Sequence, residues 1–244
     1  MRNKALFLAT TAVALITGTS QANAGDLYIS VFGGLNWQHD SSGAQSTDTS
    51  RFSTFTDFSE KADTGFTLGA TVGTQLDRWA QGLRAEVEVS YRRNDINGHW
   101  NNTISTTSSD SQTQSGPLSG NTSTFAIMAN VWYDIDMGWK AKPYIGGGAG
   151  WGRSHLDGVA AVTTSSGCCD LDGPYSFDRR DSGFAWQLGA GVNYEVAPGV
   201  DLGLGYRFFR GPGFDPVFIG KNDLRVNFDN DNHAVSASLT IGIN

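Results

Sequence analysis

The densest run of ionisable residues is Arg84, Glu86, Glu88 and Arg92, interleaved with Ala85, Val87, Val89 and Tyr91. Even spacing in an extended chain puts the four charges on one face and the apolar side chains on the other. Asp134, Glu195, Asp201 and Arg207 hold the same phase in later segments. Together they are three guanidiniums and five carboxylates. Gathered inside one structure, such a set could line a gated polar passage. It could equally be structural, with opposite charges satisfying one another, because buried charges must be paired. The structural reading is preferred here, with the eight charges forming a network that fills an interior.

Other reactive residue types form no recognisable site. The four histidines are His39, His99, His155 and His233. A strand-borne serine–histidine pair would need a serine two residues from His233, but Val235 stands there and Ser236 points to the opposite face. Catalytic residues are therefore assigned as none. Cys168 and Cys169 are adjacent, a spacing that strains any disulfide between them, and no zinc-ligand spacing accompanies them. The run Asp229 to His233 begins like a calcium loop but lacks the later glycine and glutamate, so it reads as a solvated turn. Gly146, Gly147 and Gly148 are followed by no helix and read as strand glycines, not a phosphate loop. No metal and no cofactor is expected.

The elements that must carry the charges repeat one pattern. Eight segments alternate apolar and small or polar residues: 27–37, 66–76, 83–92, 124–134, 144–152, 184–195, 201–208 and 234–243. Each is roughly ten residues, the length a tilted strand needs to cross a bilayer. Residues 77–82, 135–140 and 197–199 read as tight turns, and 38–64, 93–122, 153–182 and 209–232 as long polar loops. Within them, Arg51–Phe58 and Pro216–Phe228 could pair as extra hairpins or raise the strand number to ten. The expected fold is all-β: an eight-stranded antiparallel up-and-down transmembrane β-barrel, with short turns on one side and long loops on the other.

The two faces decide the environment. The bulky apolar residues share one face and the glycines, hydroxyls, amides and charges share the other. An eight-stranded barrel has an interior just wide enough for side chains, so whole aromatic rings are expected outside, against lipid. Trp37, Phe66, Tyr91, Phe125, Trp151, Phe184 and Phe208 fall at the long-loop ends of their strands. Tyr133 and Tyr194 fall at the short-turn ends. These are expected to be membrane-interface aromatics. A soluble ligand-binding barrel would show the inverse arrangement.

Export is expected from the N-terminus. Arg2 and Lys4, the apolar stretch Ala5 to Ile16 and the Ala22-Asn23-Ala24 site are the three parts of a signal peptide. Residues 1–24 are read as that leader and 25–244 as one outer-membrane barrel domain. Removing the leader takes the formal charge from −7 to −9. An acidic chain without a basic patch excludes nucleic acid as a partner.

The stretches GLRAEVEVSYR (82–92), FAIMANVWYD (125–134), KPYIGGGAGWGR (142–153) and FAWQLGAGVNYEVAPGVDLGLGYRFF (184–209) resemble the proteobacterial porin-family, or outer-membrane immunogenic-protein, barrels. Those are similar to the OmpA-type eight-stranded transmembrane domain. The resemblance implies a surface antigen of the cell envelope, located in the outer membrane. Its implied roles are envelope integrity and host or ligand contact through long extracellular loops, without catalysis. The expected partners are outer-membrane lipid and lipopolysaccharide, and the barrel-assembly machinery during insertion. Two departures stand out. The last residues are Ile241-Gly242-Ile243-Asn244 rather than an aromatic end, and no peptidoglycan-binding domain follows, so wall anchoring is not expected. A narrow passive channel for small solutes and a rim-located lipid-modifying hydrolase are the other readings.

Overall fold

The computed structural model describes residues 27–38, 42–48, 52–106, 111–161, 164–166, 174–219, 224–228 and 230–243. The expected leader, Cys168, Cys169 and Asp229 lie outside these residues, as do the side chains of the loop phenylalanines Phe52, Phe55, Phe58 and Phe218.

Thirteen strands are formed among the described residues: β1 (Leu27–Gln38), β2 (Ser42–Asp48), β3 (Phe52–Ala62), β4 (Gly65–Gln75), β5 (Leu83–Thr106), β6 (Ser111–Asp134), β7 (Ala141–Ala160), β8 (Thr164–Ser166), β9 (Tyr175–Ala197), β10 (Val200–Arg210), β11 (Phe214–Ile219), β12 (Leu224–Phe228) and β13 (Asp231–Ile243). Eight of them make the barrel. In ring order they are β1, β4, β5, β6, β7, β9, β10 and β13, every neighbour antiparallel. Closure comes from β1 and β13, which pair from Leu27↔Ile243 to Gln38↔Asn232. This zipper removes the two sheet edges, which hydrocarbon would leave without hydrogen-bond partners.

The short turns have the chemistry a tight reversal needs. Gly82, Gly138 and Gly199 adopt φ of 80°, 72° and 73°, the left-handed region where a Cβ is costly. Asp77 and Asp136 carboxylates accept from the backbone N–H of Gly82 at 2.9 Å and of Gly138 at 2.8 Å.

The opposite end differs from the sequence expectation. Residues 93–122 and 153–182, expected as loops, are largely strand. β5 and β6 run 24 residues each, β9 runs 23 and β7 runs 20, against the roughly ten needed to cross a bilayer. Polar composition hid these extensions, because a strand wetted on one face and rich in Ser, Thr and Asn carries little hydrophobic alternation. The hairpins that were alternatives do form: β2 with β3, which also pairs β5, and β11 with β12. They lie outside the ring, so the barrel keeps eight strands. On the inward face of the extension Ile96, Trp100, Leu118, Leu156 and Ala160 are buried.

Alternation within the wall is as expected. Val31, Leu35, Leu68, Val87, Ile127, Val131, Leu188 and Leu204 face outward and are exposed, whereas Ser30, Thr71, Glu88, Asn130 and Gln187 are buried inside. The interior nonetheless holds aromatic rings that were expected only outside. Tyr28, Phe32, Trp132, Tyr144 and Phe209 are all buried. Glycine makes the room. A Cβ on Gly73 would stand 2.3 Å from Tyr28, one on Gly69 2.4 Å from Phe32, and one on Gly191 2.5 Å from the Tyr144 hydroxyl. The small inward residues therefore accommodate rings as well as charges.

Candidate functional site

The candidate site is the lumen, built as stacked layers from the short-turn mouth upward. At that mouth a vestibule of about 210 Å³ is lined by Gln75, Arg84, Asp134, Lys142, Asn193 and Asp201, among others. Glu195 and Asp201 are partners in register between β9 and β10 at this end. Neither enters an ion pair among the described residues.

Above the vestibule sits Arg84, delivered by β5 between two carboxylates. Its guanidinium lies 2.8 Å from Glu86 and 2.6 Å from Asp134. The Tyr28 hydroxyl donates to Glu86 Oε1 at 2.7 Å, and the Trp132 indole N–H donates to Glu86 Oε2 at 2.9 Å. Each carboxylate oxygen of Glu86 thus has a donor, which lowers the cost of burying it.

Next comes Glu88, which is fully buried. Its Oε2 accepts from Arg207 at 2.7 Å, Asn130 at 2.9 Å and Gln187 at 3.0 Å. Arg92 stands 3.9 Å from its other oxygen. The two arginines are held from the sides by rings: Arg92 lies 3.8 Å over Phe209 and Arg207 lies 4.3 Å over Phe32. A guanidinium over an aromatic face gains electrostatic attraction and covers apolar area. Across the two layers Arg84, Arg92 and Arg207 meet Glu86, Glu88 and Asp134, so the buried charges balance.

The loop-side layer is neutral. Asn36 donates to Asn94 and to Asn232, and Asn232 donates to Asn230 at 2.7 Å. Asn230 in turn donates to the hydroxyls of Thr124 at 2.9 Å and Ser154 at 2.8 Å. Beside it, Thr122 donates to Gln38 at 2.9 Å. Asn230 and Asn232 were expected in a solvated turn. They are buried because β13 begins at Asp231 and carries them over the lumen.

Six of the eight expected interior charges are thus brought together, and Glu195 and Asp201 are left at the mouth. The amide layer was missed by sequence reasoning. Asn36 stands in the inward phase of its expected strand, but Asn94 and Asn232 both fell in expected loops. The expected interface aromatics all occupy outward positions. Phe66, Phe125, Trp151, Phe184, Tyr133 and Tyr194 are exposed. Tyr91 packs beside Phe66 at 6.1 Å, Phe208 beside Trp186 at 5.3 Å, and Trp37 against His233 at 6.3 Å.

On the outer wall of the extension His155 Nε2 lies 3.1 Å from Asp178, and Ser123 is the register partner of His155. Among the described residues Ser123 makes no hydrogen bond to this imidazole.

The sequence matches the family described as outer membrane protein beta-barrel domain over residues 5–240. An outer membrane protein of Gluconacetobacter diazotrophicus is 28% identical over 264 residues, which cover 100% of this chain and 65% of that protein. An uncharacterised protein of Brucella abortus is 30% identical over 180 residues, 70% of this chain and 60% of its own length. The chain therefore spans less than two thirds of these relatives. Among solved structures, Neisserial surface protein A aligns with a TM-score of 0.48 and 20% identity, covering 89% of this chain and 97% of that one. OprG from Pseudomonas aeruginosa aligns with a TM-score of 0.45 and 14% identity, covering 89% and 96%. At such scores the ring of eight stands on this chain's own strand pairings. With a family match over nearly the whole sequence and a sheet that closes on itself, the chain belongs to the outer membrane protein β-barrel family and resides in the bacterial outer membrane.

Proposed function

We propose that this barrel is a non-catalytic surface protein of the envelope. Its lumen is plugged, and its extracellular β-extensions and loops make host or ligand contacts. The observation that carries this reading is the buried Glu88 centre, with Arg207 at 2.7 Å and the amide layer stacked above it. A passage would need these groups to part, and separating buried opposite charges is costly. Around the barrel, outer-membrane lipid and lipopolysaccharide are the expected neighbours, and the barrel-assembly machinery is the expected partner during insertion. The test is conductance of the purified chain in planar bilayers. No steady unit current is expected from the wild type, and a stable conductance that lumen-filling substitutions abolish would overturn the plug.

One observation favours the second reading, a narrow passive channel: the vestibule opens the short-turn end of the lumen as far as Arg84 and Asp134. In that case Glu88→Ala would enlarge a current the wild type already shows, rather than create one.

A further inference from the structure

Most of the lipid-facing wall is aliphatic, but at the long-loop end of β1, β13, β10 and β9 it carries an aromatic patch built around one imidazole. His233 has Trp37 as its register partner on β1 and Phe208 on β10. The Trp37 ring stacks on it with centroids 6.3 Å apart and planes 12° apart, and Phe208 lies 5.2 Å away. Tyr206 lies 6.0 Å away by ring centroid, with its hydroxyl 2.6 Å from Nδ1. Trp186 continues the patch beyond Phe208 at 5.3 Å. The Arg210–Asp231 ion pair stands in the next register row.

A phenol O–H donates more readily than it accepts, so the 2.6 Å contact is assigned as Tyr206 donating to His233 Nδ1, which leaves the ring proton on Nε2. Among the described residues nothing accepts from Nε2. In hydrocarbon that N–H would stay unpaired, which a low-dielectric medium penalises heavily. The patch lies instead at the end of the strands where the outer leaflet's headgroups begin, level with the aromatic residues that suit an interface.

We propose that Trp37, Trp186, Tyr206, Phe208 and His233 form a binding site for the phosphorylated sugar headgroup of an outer-leaflet glycolipid. This inference rests on the reading that the outward face meets the outer leaflet. Indole and phenyl faces present flat apolar surface to the C–H face of a sugar ring, and the imidazole Nε2–H donates to a phosphate oxygen beside it. A second copy of the chain is a poorer occupant. Leu35, Leu188, Leu204 and Val235, outward near this level, offer no acceptor for the imidazole N–H, and the Asp231 carboxylate in the next row is already held by Arg210.

The test uses the full chain folded in detergent micelles, titrated with phosphorylated lipid A, with the same glycolipid stripped of its phosphates, and with phosphatidylcholine. Binding is read as tryptophan fluorescence change and as a shift in the unfolding temperature. His233→Ala and Trp37→Ala are each expected to weaken lipid A binding by about tenfold, the loss of one strong hydrogen bond or one stacked ring. Phosphatidylcholine is expected to give no saturable response. Equal binding by wild type and both variants overturns the proposal, and so does equal binding of the phosphate-free glycolipid. A concentration-dependent dimer lost in Trp37→Ala would overturn it in favour of a contact between copies. Heat-dependent gel mobility is measured on every variant. Its absence in the wild type would mean that the barrel reading itself had failed, an outcome separate from failure of the site.

Discussion

At the scale of single residues the lumen is an exercise in charge pairing. Glu88 serves two arginines, so its removal strands both. Glu88→Ala is expected to destabilise the folded barrel by about 3–5 kcal/mol, the cost of an uncompensated buried charge, read as a lower urea midpoint for refolding in micelles. Adding Arg207→Met to Glu88→Leu is expected to restore part of that loss, since replacing both partners by apolar groups avoids the stranded charge. No recovery in the double variant would show that Arg92 or the amides around Glu88, not the Glu88–Arg207 pair, carry the effect. The neutral layer obeys the same accounting. Asn36→Leu leaves Asn94 and Asn232 without a donor, and a loss of about 1–3 kcal/mol per orphaned group is expected.

At the scale of elements, adjacent strands are matched in size as well as in register. Tyr28 on β1 faces Gly73 on β4, its register partner, and the ring occupies the space a side chain would need. Gly73→Ala is expected to cost about 1–3 kcal/mol, as overpacking does. In a Tyr28→Leu background the same substitution should cost clearly less, because residues in contact are not additive. Equal costs in both backgrounds would show that the ring does not limit the space. The outer face has the opposite rule. Val87 is exposed on the lipid side, and Val87→Arg is expected to destabilise by about 2–4 kcal/mol if it lies near the bilayer midplane. The adjacent Glu88 points inward, where Arg207, Asn130 and Gln187 offset its loss of water.

At the scale of the whole molecule, closure is the decisive event. Deleting residues 231–243 removes β13 and leaves β1 and β10 as open edges, which a bilayer does not tolerate. That truncation is expected to give no heat-modifiable band, whereas the full chain should show one together with a β-rich circular dichroism signal. The eight membrane strands were legible in the sequence because each carries period-two alternation of bulky apolar against small or polar residues, as in Leu83 to Arg92. The β5–β6 and β7–β9 extensions were not, since above the membrane the outer face is wetted and the inward apolar residues, such as Ile96 and Trp100 within Asn94 to Thr106, are too sparse to show a period of two. The same loss of signal hid Asn94, and with it the amide layer.

Local order in the chain determined the barrel class, the parity of every wall residue and the presence of Arg84, Glu86, Glu88, Arg92, Asp134 and Arg207 on the inner face. Those follow from a backbone whose side chains alternate strictly. Which charge meets which depended on the shear and closure of the sheet, which bring Arg207 to Glu88 across 119 positions of sequence. The tertiary structure alone also decided that rings fill the lumen beside the charges. Whether a ring fits inside depends on the glycine that faces it from another strand, as Gly73 faces Tyr28, and no periodicity within one strand carries that information.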